Sequence, residues 1–265
     1  MPKQHWILER PWKEKRQGQV WVVRDDHNTR GYFKFATKEQ WYFSGPMIAN
    51  EIIAATLAKR LGFPVSKLEM ATVWGPGGIP QEGIVSVQVD AEEVITWREA
   101  PSSVKADPEQ HVEQFDLLLQ MVVFDAWIAN IDRAKGKNLI LYRDNPGEKY
   151  KWYLIDHGHT LFGSPRKWKR GAWNAPLWEQ LWRFYNVPQG LLAAQSDKER
   201  LEPMIQKIEV MRMSEIDAAL RAVPRGYLQT RDRQFIKRLL LYRQKRIRTI
   251  IERWLAYPGA KECNT

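Results

Sequence analysis

Cysteine is almost missing from this sequence. The single one, Cys263, lies close to the C-terminal end, so neither an intrachain disulfide framework nor a multi-thiolate metal site is available. That usage suits a reducing compartment and points to the cytoplasm. Long apolar runs are missing too: the opening MPKQHWILERPWKEKR has no apolar h-region, and no stretch approaches a membrane span. With only 5 histidines, a zinc site needs oxygen ligands or a distant histidine. The Gly75-Pro76-Gly77-Gly78 cluster lacks the Lys-Ser/Thr ending of a phosphate-binding P-loop, so it reads as a tight turn.

What is present suits a soluble globular chain. Its 265 residues, 44% hydrophobic, are enough for one core or two lobes around a cleft. Lys and Arg total 41 against 31 Asp and Glu, a formal charge of +10 that favours polyanions: nucleotides, nucleic acids, acidic peptides or anionic surfaces. The 13 tryptophans are scattered, many beside a cation, as in Trp12-Lys13 and Lys167-Trp168-Lys169; core packing and snorkelling account for most of them.

Periodicity divides the chain into a β-rich part and a helical part. Strands are expected at Trp6 to Leu8, Val20 to Val23 and Tyr32 to Phe35, with Pro11 to Gly18 breaking the first and Asp25-Asp26-His27-Asn28 turning into the third. The period then changes: Ile48, Ile52, Ala55, Leu57 and Leu61 give one helical face over Pro46 to Arg60, closed by Gly62 and Pro64. Leu68 to Val73 and Ile84 to Val89 read as further strands, and polar Arg98 to Pro108 as a surface loop at the lobe boundary. Beyond it, the apolar spacing predicts one long buried helix over Gln110 to Trp127, then strands at Asn138 to Tyr142 and Tyr150 to Ile155 around Asp144-Asn145-Pro146-Gly147. Helices are expected at Leu177 to Phe184, Leu201 to Ala219 and Arg231 to Trp254, with a loop at Phe162 to Pro176. The expected class is α+β and bilobal, with residues 1–97 as a β-rich lobe and 98–265 as a mainly helical one.

Two loops concentrate the chemistry. Ala129-Asn130-Ile131-Asp132-Arg133-Ala134-Lys135-Gly136-Lys137-Asn138 joins the buried helix to a strand, and Ile155-Asp156-His157-Gly158-His159 follows the next strand. Asp132, Asn138 and Asp156 can therefore share one cleft edge. Phosphoryl transfer requires an oriented acceptor and cations opposite the phosphate oxygens. Asp132 can orient a hydroxyl and take its proton, and Asn138 and Asp156 offer oxygens of the kind magnesium prefers. Lys135 or Lys137 can neutralise a transferred phosphate, Lys135 being preferred because Lys137 abuts the returning strand. The bland alternative makes Asp132 and Asn138 a helix cap and loop partner, and Asp156 a turn residue. Upstream, strand alternation sets Lys34 opposite Phe33 and Phe35, and Glu51 on the following helix can pair with it.

These segments resemble the catalytic and metal-binding loops of HipA-like kinases, a protein-kinase-like family, and Ile155-Asp156-His157-Gly158-His159 also resembles phosphatidylinositol kinases. The resemblance covers roughly residues 3–250 and is strongest at Lys34, Asn50-Glu51 and residues 130–159. It implies a bilobal kinase-like fold that uses ATP and Mg²⁺. It also implies a catalytic base at Asp132, metal ligands at Asn138 and Asp156, and a Lys34–Glu51 pair orienting the nucleotide phosphates. Asn138 departs from the pattern by standing six residues after Asp132 where five is usual; an inserted residue or a bulged loop would restore the geometry, and failing that the resemblance points to an inactive relative. Pro11 to Gly18 occupies the place of a phosphate-covering loop, with Gly18 as its candidate backbone contact.

The implied activity is ATP-dependent transfer to a protein serine or threonine, with small-molecule or lipid acceptors as alternatives. A catalytically inactive nucleotide-binding module is a reading of another class. RNA or acidic-protein binding through Arg166 to Arg170 and the basic last helix is another, although a packed helix with a solvated face explains that helix more simply. A histidine-containing hydrolase or zinc site at His157 and His159 is a minor alternative.

Overall fold

The computed structural model describes residues 5–15, 18–161, 185–257, 259 and 262–263. An N-terminal five-stranded antiparallel sheet runs β1 (Ile7–Lys15), β2 (Gly18–Arg24), β3 (Arg30–Phe35), β5 (Pro80–Val87), β4 (Leu68–Trp74) in spatial order. Between β3 and β4 lie helices α1 (Lys38–Ser44) and α2 (Met47–Leu61). The fold is α+β and bilobal, with this β-sheet region followed by a largely helical one.

Alternation along β3 decides which side chains face the core. Phe33 and Phe35 pack with Trp21, Trp6, Val23, Val73 and Val85 on one face of the sheet. Lys34 takes the other. The turn before β3 forms because Asp25 Oδ1 accepts from the backbone N–H groups of His27 and Thr29, at 2.9 and 2.7 Å. One expectation fails at the first strand. Pro11 to Gly18 does not break it; β1 continues to Lys15 and forms a hairpin with β2, absorbing register shifts between Leu8 and Arg10 and between Pro11 and Lys13. As an edge strand, β1 tolerates a proline that a central strand would not.

Helix α2 is buried on most of its circumference, carrying Ile48, Ile53, Ala54, Leu57 and Ala58 together with Asn50 and Glu51. It stops where Gly62 turns left-handed (φ 94°). Phe63 N–H then donates to Ala58 O and Gly62 N–H to Lys59 O, the bonding of a Schellman cap.

The chain leaves the first sheet at Val87 and enters a second at β6 (Glu93–Thr96), which pairs with β7 (Leu139–Arg143) and through it with β8 (Lys151–Leu154). The segment read as an open loop is instead a 3₁₀ turn, Trp97–Glu99, and short helices α3 (Ser102–Ala106) and α4 (Pro108–His111). Buried Trp97 and Val104 hold it against the core.

The single long helix expected over Gln110 to Trp127 is broken into α4, α5 (Phe115–Leu119) and α6 (Met121–Trp127). Val112 is extended and bridges Tyr150, whose backbone exchanges bonds with His111 O and Glu113 N–H, and Gln114 turns left-handed at φ 50°. Tertiary backbone pairing overrides the helical periodicity here.

The same holds further on. The expected Leu201 to Ala219 helix is two, α8 (Lys198–Glu209) and α9 (Met213–Arg221), after a short α7 (Leu192–Gln195). At the break, Gln244 Nε2 donates to Ile208 O and Met211 O at 2.9 and 2.6 Å, occupying carbonyls that a continuous helix would use itself. The last expected helix divides into α10 (Thr230–Gln244) and α11 (Ile247–Leu255). Trp127, fully buried, donates its indole N–H to Leu240 O and joins α6 to α10. The expected loop at Phe162 to Pro176, the helix at Leu177 to Phe184 and the basic Arg166 to Arg170 segment lie outside the described residues.

Candidate active site

A cleft of about 340 Å³ between the two sheets is lined by Lys34, Asp132, Lys135, Asn138, Asp156 and His159, among others. Five of the seven residues singled out from the sequence therefore face one space. Glu51 lies behind that wall, 2% exposed, and reaches the cleft through Lys34. Gly18 opens β2 opposite Lys15, and the cleft lining near it consists of Gln19 and Val20.

Lys34 is buried, with Nζ 2.7 Å from Asp156 Oδ1 and 3.6 Å from Glu51 Oε1. Burial works against its charge, but the two carboxylates outweigh burial and hold the ammonium well above the ordinary lysine value. Burial also opposes the charge of Asp156, yet Lys34 overrides it and keeps this carboxyl down at about 2. Glu51 goes the other way: burial pushes its carboxyl up, and Lys34 offsets only part of that. Asp156 is the nearer of the two counterions of Lys34.

Asp156 stands just past the end of β8 at φ 58°, a sharp left-handed turn that redirects the chain into the cleft. The next residues are clamped from α1 and α2. Asn50 Nδ2 donates to Gly158 O at 3.0 Å and to Ser44 O at 3.3 Å, and Ser44 Oγ lies 2.6 Å from His159 Nδ1. These bonds satisfy the amide nitrogen of Asn50, a polar side chain with no solvent exposure on the buried face of α2.

The loop carrying Asp132 is compact. Asn138 Nδ2 donates to the backbone oxygen of Asp132 at 3.0 Å and to its carboxylate at 3.3 Å. Between them Gly136 is left-handed at φ 62°, and its carbonyl accepts from Arg98 N–H. A side chain there would meet Trp97 Cδ1 at 2.9 Å and Arg98 N at 3.1 Å, so this left-handed position requires glycine.

Four residues beside the candidate site carry no role in the sequence reading: Asp125, Asn130, Arg133 and Tyr185. Arg133 is completely buried, with Nε 3.1 Å from Asp125 Oδ2 and Nη2 3.2 Å from Asp125 Oδ1. Asn130 Nδ2 and Tyr185 Oη donate to the same carboxylate at 2.7 and 3.1 Å. Beyond that pair, the guanidinium reaches Asn138 O, Ile155 O at 3.3 Å and His157 Nε2 at 3.3 Å. Burial and the adjacent guanidinium depress the His157 imidazole well below its ordinary value, so the ring is neutral. The available signal was Asp125 itself, a lone carboxylate in an apolar helix that needs a buried cationic partner.

The oxygen donors suit magnesium. Among the described residues, no three His, Cys, Asp or Glu side chains cluster as a metal site. Mg²⁺ bound with phosphates commonly takes only one or two carboxylates from the protein. Asp156 is ionised and faces the cleft, and Asn138 turns its amide nitrogen to Asp132, which leaves its amide oxygen for a cation. His157 is engaged by Arg133 and His159 by Ser44, an arrangement unlike a two-histidine zinc site.

The basic last helices are mostly occupied within the protein. Lys237 pairs with Asp217 at 2.7 Å, and Arg248 pairs with Glu202 and Glu209 at 2.8 and 2.9 Å. Arg243 is buried and donates to Ala126 O and Trp127 O. Packing and internal pairing account for much of this charge.

Residues 34–167 match the sequence profile of HipA-like kinases, and that span contains Lys34, Glu51, Asp132, Asn138 and Asp156. The chain belongs to the HipA-like kinase family. Its fold is shared with the Helicobacter pylori proinflammatory kinase CtkA, at a TM-score of 0.58 and 14% identity over 96% of this chain and 97% of that one. The golgi casein kinase aligns over 97% of this chain and 74% of that one, at 13% identity and a TM-score of 0.48. No curated protein sequence matches the chain significantly. As a HipA-like kinase, the protein is a phosphotransferase-like enzyme with a protein-kinase-like fold. Among the described residues, no helix is long and apolar enough to cross a membrane.

Proposed function

We propose that the protein transfers the γ-phosphoryl group of ATP to a serine or threonine hydroxyl of another protein. The observation that carries this reading is the meeting of Lys34, Glu51 and Asp156 at the wall of the cleft that also holds Asp132 and Asn138. A strand cation, its helix counterion and two loop acids are the parts phosphoryl transfer needs. The proposed lobes are residues 1–97 and 98–265, with β6 reaching across the division to pair with β7.

Lys34 binds the α- and β-phosphates, and Glu51 holds its ammonium in place. Asp132 accepts the proton of the acceptor hydroxyl as its oxygen forms a bond to the γ-phosphorus and the bond to the ADP oxygen breaks. Lys135 offsets charge on the transferred group, and the β1–β2 hairpin with Gly18 covers the phosphates. Asp156 and Asn138 would hold Mg²⁺, which when bound neutralises phosphate charge. The assigned setting is the cytoplasm.

The test is incubation of the purified protein with γ-labelled ATP and Mg²⁺, alone and with a soluble cytoplasmic fraction. The expected result is label on serine or threonine of a protein. Label on a lipid or small molecule would replace the acceptor class, and nucleotide binding with no transfer to any fraction would favour an inactive binding module.

A further inference from the structure

The two proposed magnesium ligands sit on different loops. Asn138 precedes β7 and Asp156 follows β8, so their separation is set where the β7–β8 ladder ends. The last paired residues are Leu139 and Leu154, followed by one more bond from Ile155 N–H to Asn138 O at 3.2 Å. Past that point the ladder cannot continue, because Asp156 turns left-handed. The guanidinium of Arg133 occupies this place and donates to both Asn138 O and Ile155 O. One rigid, planar group thus bonds the backbone of one ligand residue and the residue immediately before the other.

Its own position is fixed from behind. Asp125 on α6 takes two of its N–H groups, and Tyr185 and Asn130 hold Asp125 in turn. A buried arginine–carboxylate pair is costly to desolvate and adds little net stability over apolar packing. Its fork geometry, however, fixes distances that a lysine cannot fix.

We infer that Arg133 is a positioning residue that sets the spacing between Asn138 and Asp156 and thereby tunes the site to magnesium. Mg²⁺ demands near-ideal octahedral geometry at about 2.0–2.1 Å and tolerates misplaced ligands poorly. Mn²⁺ favours the same oxygen ligands; being larger, it accepts a looser pair. Loosening the clamp therefore weakens magnesium more than manganese. This rests on the phosphotransferase reading.

The experiment titrates Mg²⁺ and Mn²⁺ into protein with a fluorescent ATP analogue and reads half-saturation, alongside thermal melting. In Arg133→Lys, half-saturation for Mg²⁺ is expected to rise about tenfold, in the range typical of groups that orient metal ligands, and that for Mn²⁺ by a markedly smaller factor. A purely structural role would move both metals equally. Tyr185→Phe keeps every charge but frees one side of Asp125; a smaller shift of the same sign is expected, and it decides the matter where Arg133→Lys does not fold. An unchanged Mg²⁺ to Mn²⁺ ratio in the folded variants overturns the inference while leaving the function standing. Absence of metal-dependent nucleotide binding by the wild type overturns both.

Discussion

Lys34 Nζ and Asp156 Oδ1 are 2.7 Å apart, joining the third strand of the N-terminal sheet to the loop that follows the last strand of the second. Each outweighs the burial that opposes its partner's charge, so both remain ionised. The nucleotide phosphates enter at this contact in the proposed reaction. Lys34 would then exchange part of its bond to Asp156 for phosphate while Glu51 keeps it in place.

Lys34→Ala should therefore weaken ATP binding by about 2 kcal/mol, roughly thirtyfold, the scale of a hydrogen bond to a charged group. Adenosine binding should change little, since it brings no phosphate. Calorimetric titration with both ligands checks this, and equal losses for the two would remove Lys34 from the phosphate site.

The same pair gives a signed pH dependence. Asp156 has its folded-state pKa lowered to about 2, against about 4 for an unperturbed aspartate. Its stabilisation is fully present above the unfolded value and is lost as pH falls from about 4 through about 2. Glu51, raised by burial, has the opposite sign: stability is gained as pH falls through its raised value. Asp156→Asn is expected to remove part of the acid loss between about pH 4 and 2, and Glu51→Gln to leave that part in place. Urea unfolding across this range measures both; an unaltered acid slope in Asp156→Asn contradicts the assignment.

Local rules made some of this legible in the sequence. Two-residue alternation put Lys34 opposite Phe33 and Phe35, and the apolar period with Gly62 and Pro64 bounded α2 to within a residue or two. The two loops were legible because their polar residues directly follow apolar elements. Interactions between distant segments were not. Gln244 satisfies the carbonyls at the break between α8 and α9, and Tyr150 pulls Val112 out of the helical pattern; neither effect is encoded near the residues it changes. Arg133 differs, since its carboxylate partner Asp125 is near in sequence, close to the end of α6; what the sequence does not show is that the loop between them folds the guanidinium back under the helix end.

Gly136 is left-handed in the loop between Asp132 and Asn138. Alanine there faces a left-handed backbone and contacts of 2.9 and 3.1 Å with Trp97 and Arg98. The strain is about 1–2 kcal/mol, and relief requires the loop to swing from Asp132 or the Trp97 segment to shift. Gly136→Ala is expected to lower the melting temperature and reduce phosphoryl transfer more than nucleotide binding. Transfer and binding that fall together would place the strain elsewhere.

Asp132 is exposed at the cleft, with Asn138 holding both its backbone and its carboxylate. It makes no ion pair with Lys34, whose partners are Glu51 and Asp156, so its loss leaves the Lys34 ammonium in place. Asparagine preserves the shape and the neighbouring bonds but cannot take a proton from an acceptor hydroxyl. Asp132→Asn should thus retain ATP affinity within about twofold of wild type while kcat falls by about 10²–10⁴, the range of a lost general base. Single-turnover transfer from γ-labelled ATP, measured beside equilibrium binding, separates the two quantities. Undiminished transfer in Asp132→Asn would move the base to another residue of the loop, whereas a parallel loss of ATP affinity would make Asp132 a binding residue.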